Sequence, residues 1–199
     1  MTVLGHTTRI GVFGGTFDPP QNGHLAVAQA VLERLQLDYV LFVPAGDPWQ
    51  KTVQTPAAER FEMVEIALLG QDRMSVSSVD IEREGPTYTI DTLTDLARLY
   101  PGAELFFILG DDAFSGITSW KNYEQLAQLA TIVVVSRHGT PVEVPTKLSP
   151  SVNLLEMSAL PISSTLCRER IMAGHSLEGL VPAGVAEYIE KKNLYRRTT

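Results

Sequence analysis

The chain has 199 residues, 44% hydrophobic and 20% charged, with a net charge of −7 and a pI near 5.1. That size fits one compact domain, residues 1–199, with a well-covered core, and the acidic balance argues against nucleic acid as the main partner, because phosphate contacts need basic clusters. The lone cysteine, Cys167, rules out an intrachain disulfide, and the absence of both a leader-like N-terminus and an apolar run of ~20 residues argues for a soluble, cytoplasmic protein with no membrane partner.

Residues 9–13 open the predicted elements with a strand. A helix stripe follows, Leu25, Ala28, Leu32 and Leu35. Residues 39–43 read as the second strand. After the start signal Thr55-Pro56 a second stripe appears, Phe61, Val64 and Leu68. Residues 75–84 read equally as strand or extended edge. Ile90, Leu93, Ala97 and Tyr100 form a third stripe, stopped by Pro101-Gly102. Strands are predicted at 104–109, 131–135 and 152–156. The runs 105–109 and 132–135 are almost wholly apolar, as in parallel strands buried on both faces. Residues 138–147 read as a loop. A last helix carries Val185, Tyr188 and Lys192 on one face after Pro182, with Ile189 beside them. The alternation predicts an α/β, doubly wound sheet.

Open sheets of this kind bind ligands beyond the carboxyl ends of their strands. The first strand ends in Gly14-Gly15-Thr16-Phe17-Asp18-Pro19, and Gly23-His24 opens the next helix. Glycines let backbone approach a ligand closely, and a helix N-terminus offers free N–H groups to an anion. The string lacks both the Gly-Lys-Ser/Thr ending of a P-loop and the Gly-x-Gly-x-x-Gly of dinucleotide-binding folds. Without those glycines Asp38 reads as a loop aspartate. Near the C-terminus, Ile162-Ser163-Ser164-Thr165-Leu166-Cys167-Arg168 offers a second anion site, with Ser163 as N-cap and Arg168 one turn on. Cys167 reads as an apolar filler.

The first string resembles the nucleotidyltransferase signature Gly-Gly-Thr-Phe-Asp-Pro-x-His-x-Gly-His. His24 matches its second histidine, and Gln21 stands in place of the first. The second string resembles the Ile-Ser-Ser-Thr-x-x-Arg element of the same superfamily. Gly85-Pro86-Thr87-Tyr88-Thr89-Ile90-Asp91-Thr92-Leu93, Leu109-Gly110-Asp111-Asp112 with Trp120, and the closing Val181-Pro182, Tyr188-Ile189 and Asn193-Leu194-Tyr195 resemble bacterial nicotinate-nucleotide adenylyltransferases. The resemblance covers nearly the whole chain.

It implies a Rossmann-like, doubly wound parallel sheet with helices on both faces. It also implies transfer of an adenylyl group from ATP, with Mg²⁺ on its phosphates, to nicotinate mononucleotide. His24, Gln21, Thr16 and Lys51 are the implied catalytic residues. Gly14, Gly15, Phe17, Gly23, His24, Gly110, Asp112, Ser163, Ser164 and Arg168 would bind ATP. Thr16, Tyr88, Thr89, Trp120 and Trp49 would bind the mononucleotide, and no metal ligand is expected from the protein. Glutamine cannot carry the charge of a histidine, so Gln21 implies a slowed enzyme. Two rivals share parts of this pattern: a nucleotide-binding sensor without turnover, and a sister transferase acting on pantetheine phosphate or using a cytidylyl donor. His6, His138 and His175 have no metal-ligand spacing and are assigned no role.

Overall fold

The computed structural model describes residues 6–50, 52–137, 141–158 and 160–196. Six strands, β1 (Arg9–Gly15), β2 (Tyr39–Pro44), β3 (Met74–Val76), β4 (Glu104–Gly110), β5 (Thr131–Arg137) and β6 (Val152–Met157), form one sheet in the order β3-β2-β1-β4-β5-β6. Every neighbouring pair is parallel. The five expected strands begin where the sequence places them and run one or two residues further. The ambiguous stretch 75–84 resolves into the end of β3, followed by turns.

The helices are α1 (Asn22–Arg34), α2 (Ala57–Ala67), α3 (Thr89–Leu99), α4 (Asp111–Phe114), α5 (Leu126–Leu129), α6 (Ser164–Met172) and α7 (Ala183–Lys192). Side chains alternate across a strand, so each central strand feeds two cores. Ile10, Val12, Leu105, Phe107 and Leu109 pack with Ile90, Leu93 and Leu96 of α3 on one face. Phe13, Phe106 and Ile108 pack with Ala28, Val31 and Leu32 of α1 on the other. Burial on both faces is why β4 reads as an unbroken apolar run.

A third core joins α2, α6 and α7 through Met63, Ala67, Cys167, Val185, Tyr188 and Ile189. It corrects the expected stripe of α2: Phe61 is only half-buried, and the buried face is Arg60, Met63, Val64 and Ala67. Cys167 lies wholly inside, and burial pushes its thiol pKa up, as befits a filler.

The chain leaves β1 for β2 and β3 on one side, then returns to β4 on the other. Helical crossovers therefore diverge around β1 and β4, opening a crevice beyond their carboxyl ends. Gly14, Gly15 and Gly110 stand at that rim.

Candidate active site

The loop after β1 makes a tight approach to its own core. Phe17 takes a left-handed φ of 50° and buries its ring, 1% exposed, edge-on to Phe13 and His24. A Cβ at Gly15 would lie 2.9 Å from that ring. The second glycine is therefore required by packing inside the loop. The Phe17 ring faces inward, so this residue meets a ligand only through its backbone.

Gln21 and His24 cap α1 reciprocally. The Gln21 side-chain oxygen accepts from the Gly23 amide, and the Gln21 amide donates to His24 Nδ1 at 3.1 Å. A Cβ on Gly23 would sit 2.5 Å from the Gln21 oxygen, so a larger residue there would push the capping side chain aside. Backbone N–H groups can only donate. Nδ1 of His24 is thus the acceptor, which assigns the ring proton to Nε2. By the same logic the Gln21 carboxamide is oriented with its oxygen on the helix end, leaving its NH₂ as a neutral donor.

Asp18, 3% exposed, organises the middle of the loop. Its carboxylate accepts from the Tyr195 hydroxyl at 2.7 Å and from the Gln54 amide at 2.8 Å. Its carbonyl oxygen accepts from Arg168 at 2.7 Å, and the next carbonyl, of Pro19, accepts from the Ser164 hydroxyl at 2.8 Å. Ser163 caps α6, its hydroxyl accepting from the Leu166 amide at 3.1 Å. The two sequence motifs therefore meet at the crevice.

Arg60, fully buried on α2, ties the β1–α1 loop to both ends of the β2–α2 loop. It donates to the carbonyls of Thr55 (3.0 Å), Thr16 (2.7 Å), Ala45 (2.6 Å) and Gly46 (3.1 Å). Burial pulls its pKa down, and the negative charge of Asp18 opposes that pull. The sequence gives no sign of this residue's role, and it marks Tyr195 only as part of the closing family segment, without its bond to Asp18.

A cavity of about 160 Å³ opens beside the loop. Gly14, Gly15, Thr16, Trp49, Tyr88, Thr89 and Trp120 all line it. Trp120 packs edge-on to Phe107, with centroids 6.2 Å apart, and Trp49 lies 5.9 Å from Tyr88. Asp80, absent from the sequence expectation, forms part of the wall. Burial pushes its carboxyl pKa up, while bonds from Thr92 (2.7 Å) and Arg83 (2.8 Å) oppose the shift. Lys121 was also missed; a lone lysine after a tryptophan carries no distinguishing signal.

The other expected residues are not among those that line this cavity. Gln21, Gly23 and His24 stand at the head of α1, Gly110 and Asp112 at the head of α4, and Ser163, Ser164 and Arg168 at the head of α6. Lys51 and His138 lie outside the described residues. Among the described residues no group of three or more His, Cys, Asp or Glu could hold a metal ion.

Residues 12–170 match the cytidylyltransferase-like family. A protein of Leifsonia xyli subsp. xyli, named "Probable nicotinate-nucleotide adenylyltransferase", is 52% identical over 188 residues, 94% of either chain. One of the same name from Acidothermus cellulolyticus is 50% identical over 204 residues, 98% of either chain. The chain belongs to the nicotinate-nucleotide adenylyltransferases. A Plasmodium falciparum nicotinic acid mononucleotide adenylyltransferase complexed with NaAD has the same fold, with a TM-score of 0.77 at 22% identity over 94% of this chain and 97% of that one. For an adenylyltransferase the arrangement is chemically apt. Backbone donors and an imidazole N–H stand at one end of the crevice, and an aromatic-walled cavity stands beside them.

Proposed function

We propose that this single nucleotidyltransferase domain joins nicotinate mononucleotide to the adenylyl group of ATP in the cytoplasm, giving nicotinate adenine dinucleotide and pyrophosphate for NAD biosynthesis. A 5′-phosphate oxygen of the mononucleotide attacks the α-phosphorus of ATP. A new P–O bond forms, the bond from the α-phosphorus to the bridging oxygen breaks, and its electron pair leaves on pyrophosphate. The attacking oxygen is already ionised, so positioning and charge stabilisation carry the catalysis.

Each side chain has a part in this reading. His24 donates from Nε2 to the α-phosphate as charge develops. Gln21 adds a neutral donor, and Thr16 and Lys51 stand by the phosphates. The amides of Gly14, Gly15 and Phe17 face the nucleotide, and Gly23, whose amide is held by Gln21, lets the helix end approach it. The Ser163 hydroxyl, the backbone N–H of Ser164 at the head of α6 and Arg168 hold the β- and γ-phosphates, and Gly110 and Asp112 take the adenosine ribose. Trp120 stacks on the pyridine ring, Trp49 closes over it, and backbone N–H groups near Tyr88 and Thr89 donate to its carboxylate. Magnesium fits as a passenger on the ATP phosphates, which neutralises the leaving pyrophosphate; hard oxygen ligands of that kind suit it without a protein cage.

The observation that supports this reading is that Gly14, Gly15 and Thr16 line the same cavity as Trp120, while the loop they begin leads into the His24 cap. Its test is pyrophosphate release with ATP or CTP against a panel of nicotinate mononucleotide, nicotinamide mononucleotide and pantetheine phosphate. Turnover with ATP and nicotinate mononucleotide is expected. Turnover only with another pair would replace the substrate assignment, and calorimetric binding without any release would favour the sensor.

A further inference from the structure

Two charged side chains line the described part of the cavity, Asp80 and Lys121. Asp80 is already engaged by Thr92 and Arg83. Lys121 is placed differently. Its ammonium sits 4.6 Å from the Tyr88 ring centroid and 2.9 Å from an Asp91 carboxylate oxygen. Tyr88 is the N-cap of α3, and Asp91 lies in its first turn. The positive group therefore stands at the helix end where the proposed function puts the pyridine substituent.

Nicotinate and nicotinamide mononucleotides share a ribose, a phosphate and a pyridinium ring. They differ in one substituent, a carboxylate against a carboxamide. Apolar walls and a stacking indole bind both rings alike. A backbone N–H donates to either oxygen. A fixed positive charge, by contrast, attracts the carboxylate and gains little from the amide.

We propose that Lys121 is the residue by which the cavity selects the carboxylate-bearing ring, and that Asp91 sets the strength of that selection by partly neutralising it. This rests on the proposed function, whose substrate it would discriminate. The Lys121 and Asp91 side chains are 44% and 37% exposed, so water screens the effect. A change of about fivefold in relative affinity is expected for removing one such charge.

The experiment measures dissociation constants for the two mononucleotides by calorimetry, in the parent and three variants. Lys121→Gln should lower the nicotinate preference about fivefold, since it leaves Asp91 to repel the carboxylate. Asp91→Asn should raise it, and Lys121→Arg should keep it near the parent value. Rising salt should narrow the preference of the parent and, in Lys121→Gln, raise it by screening the Asp91 carboxylate. A packing role would instead weaken both ligands together and would not send the two neutralising variants in opposite directions. An unchanged ratio in Lys121→Gln, or a shared direction for Lys121→Gln and Asp91→Asn, overturns the proposal. Binding is read without turnover, so an inactive enzyme would sink the proposed reaction and leave this test standing.

Discussion

The guanidinium of Arg168 donates to the carbonyl oxygen of Asp18 at 2.7 Å, joining segments 150 residues apart. Its second nitrogen donates to the Thr165 hydroxyl at 3.2 Å. The fork thus ties the head of α6 to the loop that leads into His24. Charge-assisted bonds of this kind contribute about 2 kcal/mol, so Arg168→Met should lower kcat/KM by about thirtyfold. Arg168→Lys should recover only part of that, because one ammonium does not reproduce a planar fork. Steady-state kinetics with varied ATP would measure both, and parent-like kinetics in Arg168→Met would refute the clamp.

Arg60 calls for a different readout. It serves four carbonyls from within the core, and an apolar replacement would leave several of them without a donor. Unsatisfied buried acceptors cost about 1–3 kcal/mol each, so Arg60→Met should destabilise the fold by about 3 kcal/mol or more. Urea denaturation of the parent and variant would show it as a lowered midpoint. A midpoint within error of the parent would mean that water replaces the guanidinium.

These two arginines mark where the sequence was and was not legible. Five of the six strands are legible to within two residues, because parallel strands buried on both faces leave long apolar runs, as in Leu105–Leu109. Ser163 was legible as a cap because a hydroxyl before a helix has a local purpose. Arg60 was not, because its partners lie up to 44 residues away and an arginine in a helix normally faces water. Choosing Phe61 for the buried stripe followed from the same assumption. β3 escaped definition because three residues show no period. Asp80 and Lys121 share a wall only through the fold, and nothing in their local sequence announces it.

Tyr195 gives a pH-dependent test. Its hydroxyl donates to Asp18, and its pKa is raised from an ordinary 10.0, chiefly by burial; the Thr55 hydroxyl opposes the shift and the Asp18 carboxylate reinforces it. The unfolded chain therefore loses this proton at lower pH than the folded one. The contribution to stability is intact below pH 10 and falls as pH rises through the folded value. Tyr195→Phe should cost about 1–3 kcal/mol at pH 7 by leaving the Asp18 oxygen short of a donor. It should also flatten the alkaline limb, so parent and variant converge above pH 10. Denaturation curves at pH 7 and at alkaline pH would check it; a constant difference across the range would exclude the linkage.

Gln21 is the position where local structure and chemistry compete. Its oxygen caps α1 through the Gly23 amide, and its amide proton orients His24. A histidine there could accept from the helix end through one ring nitrogen while neutral; once protonated it presents both nitrogens as charged donors and gives up that cap. Charge-assisted donors are about twice as strong as neutral ones. Gln21→His should therefore raise kcat, by up to about a hundredfold if the full value of one transition-state donor is regained. The gain should appear in kcat and kcat/KM together, since the donor acts on charge that develops only in the transition state. Pyrophosphate-release kinetics at saturating ATP would measure it. A Gln21→His enzyme no faster than its parent would show that the neutral amide already supplies what the reaction needs.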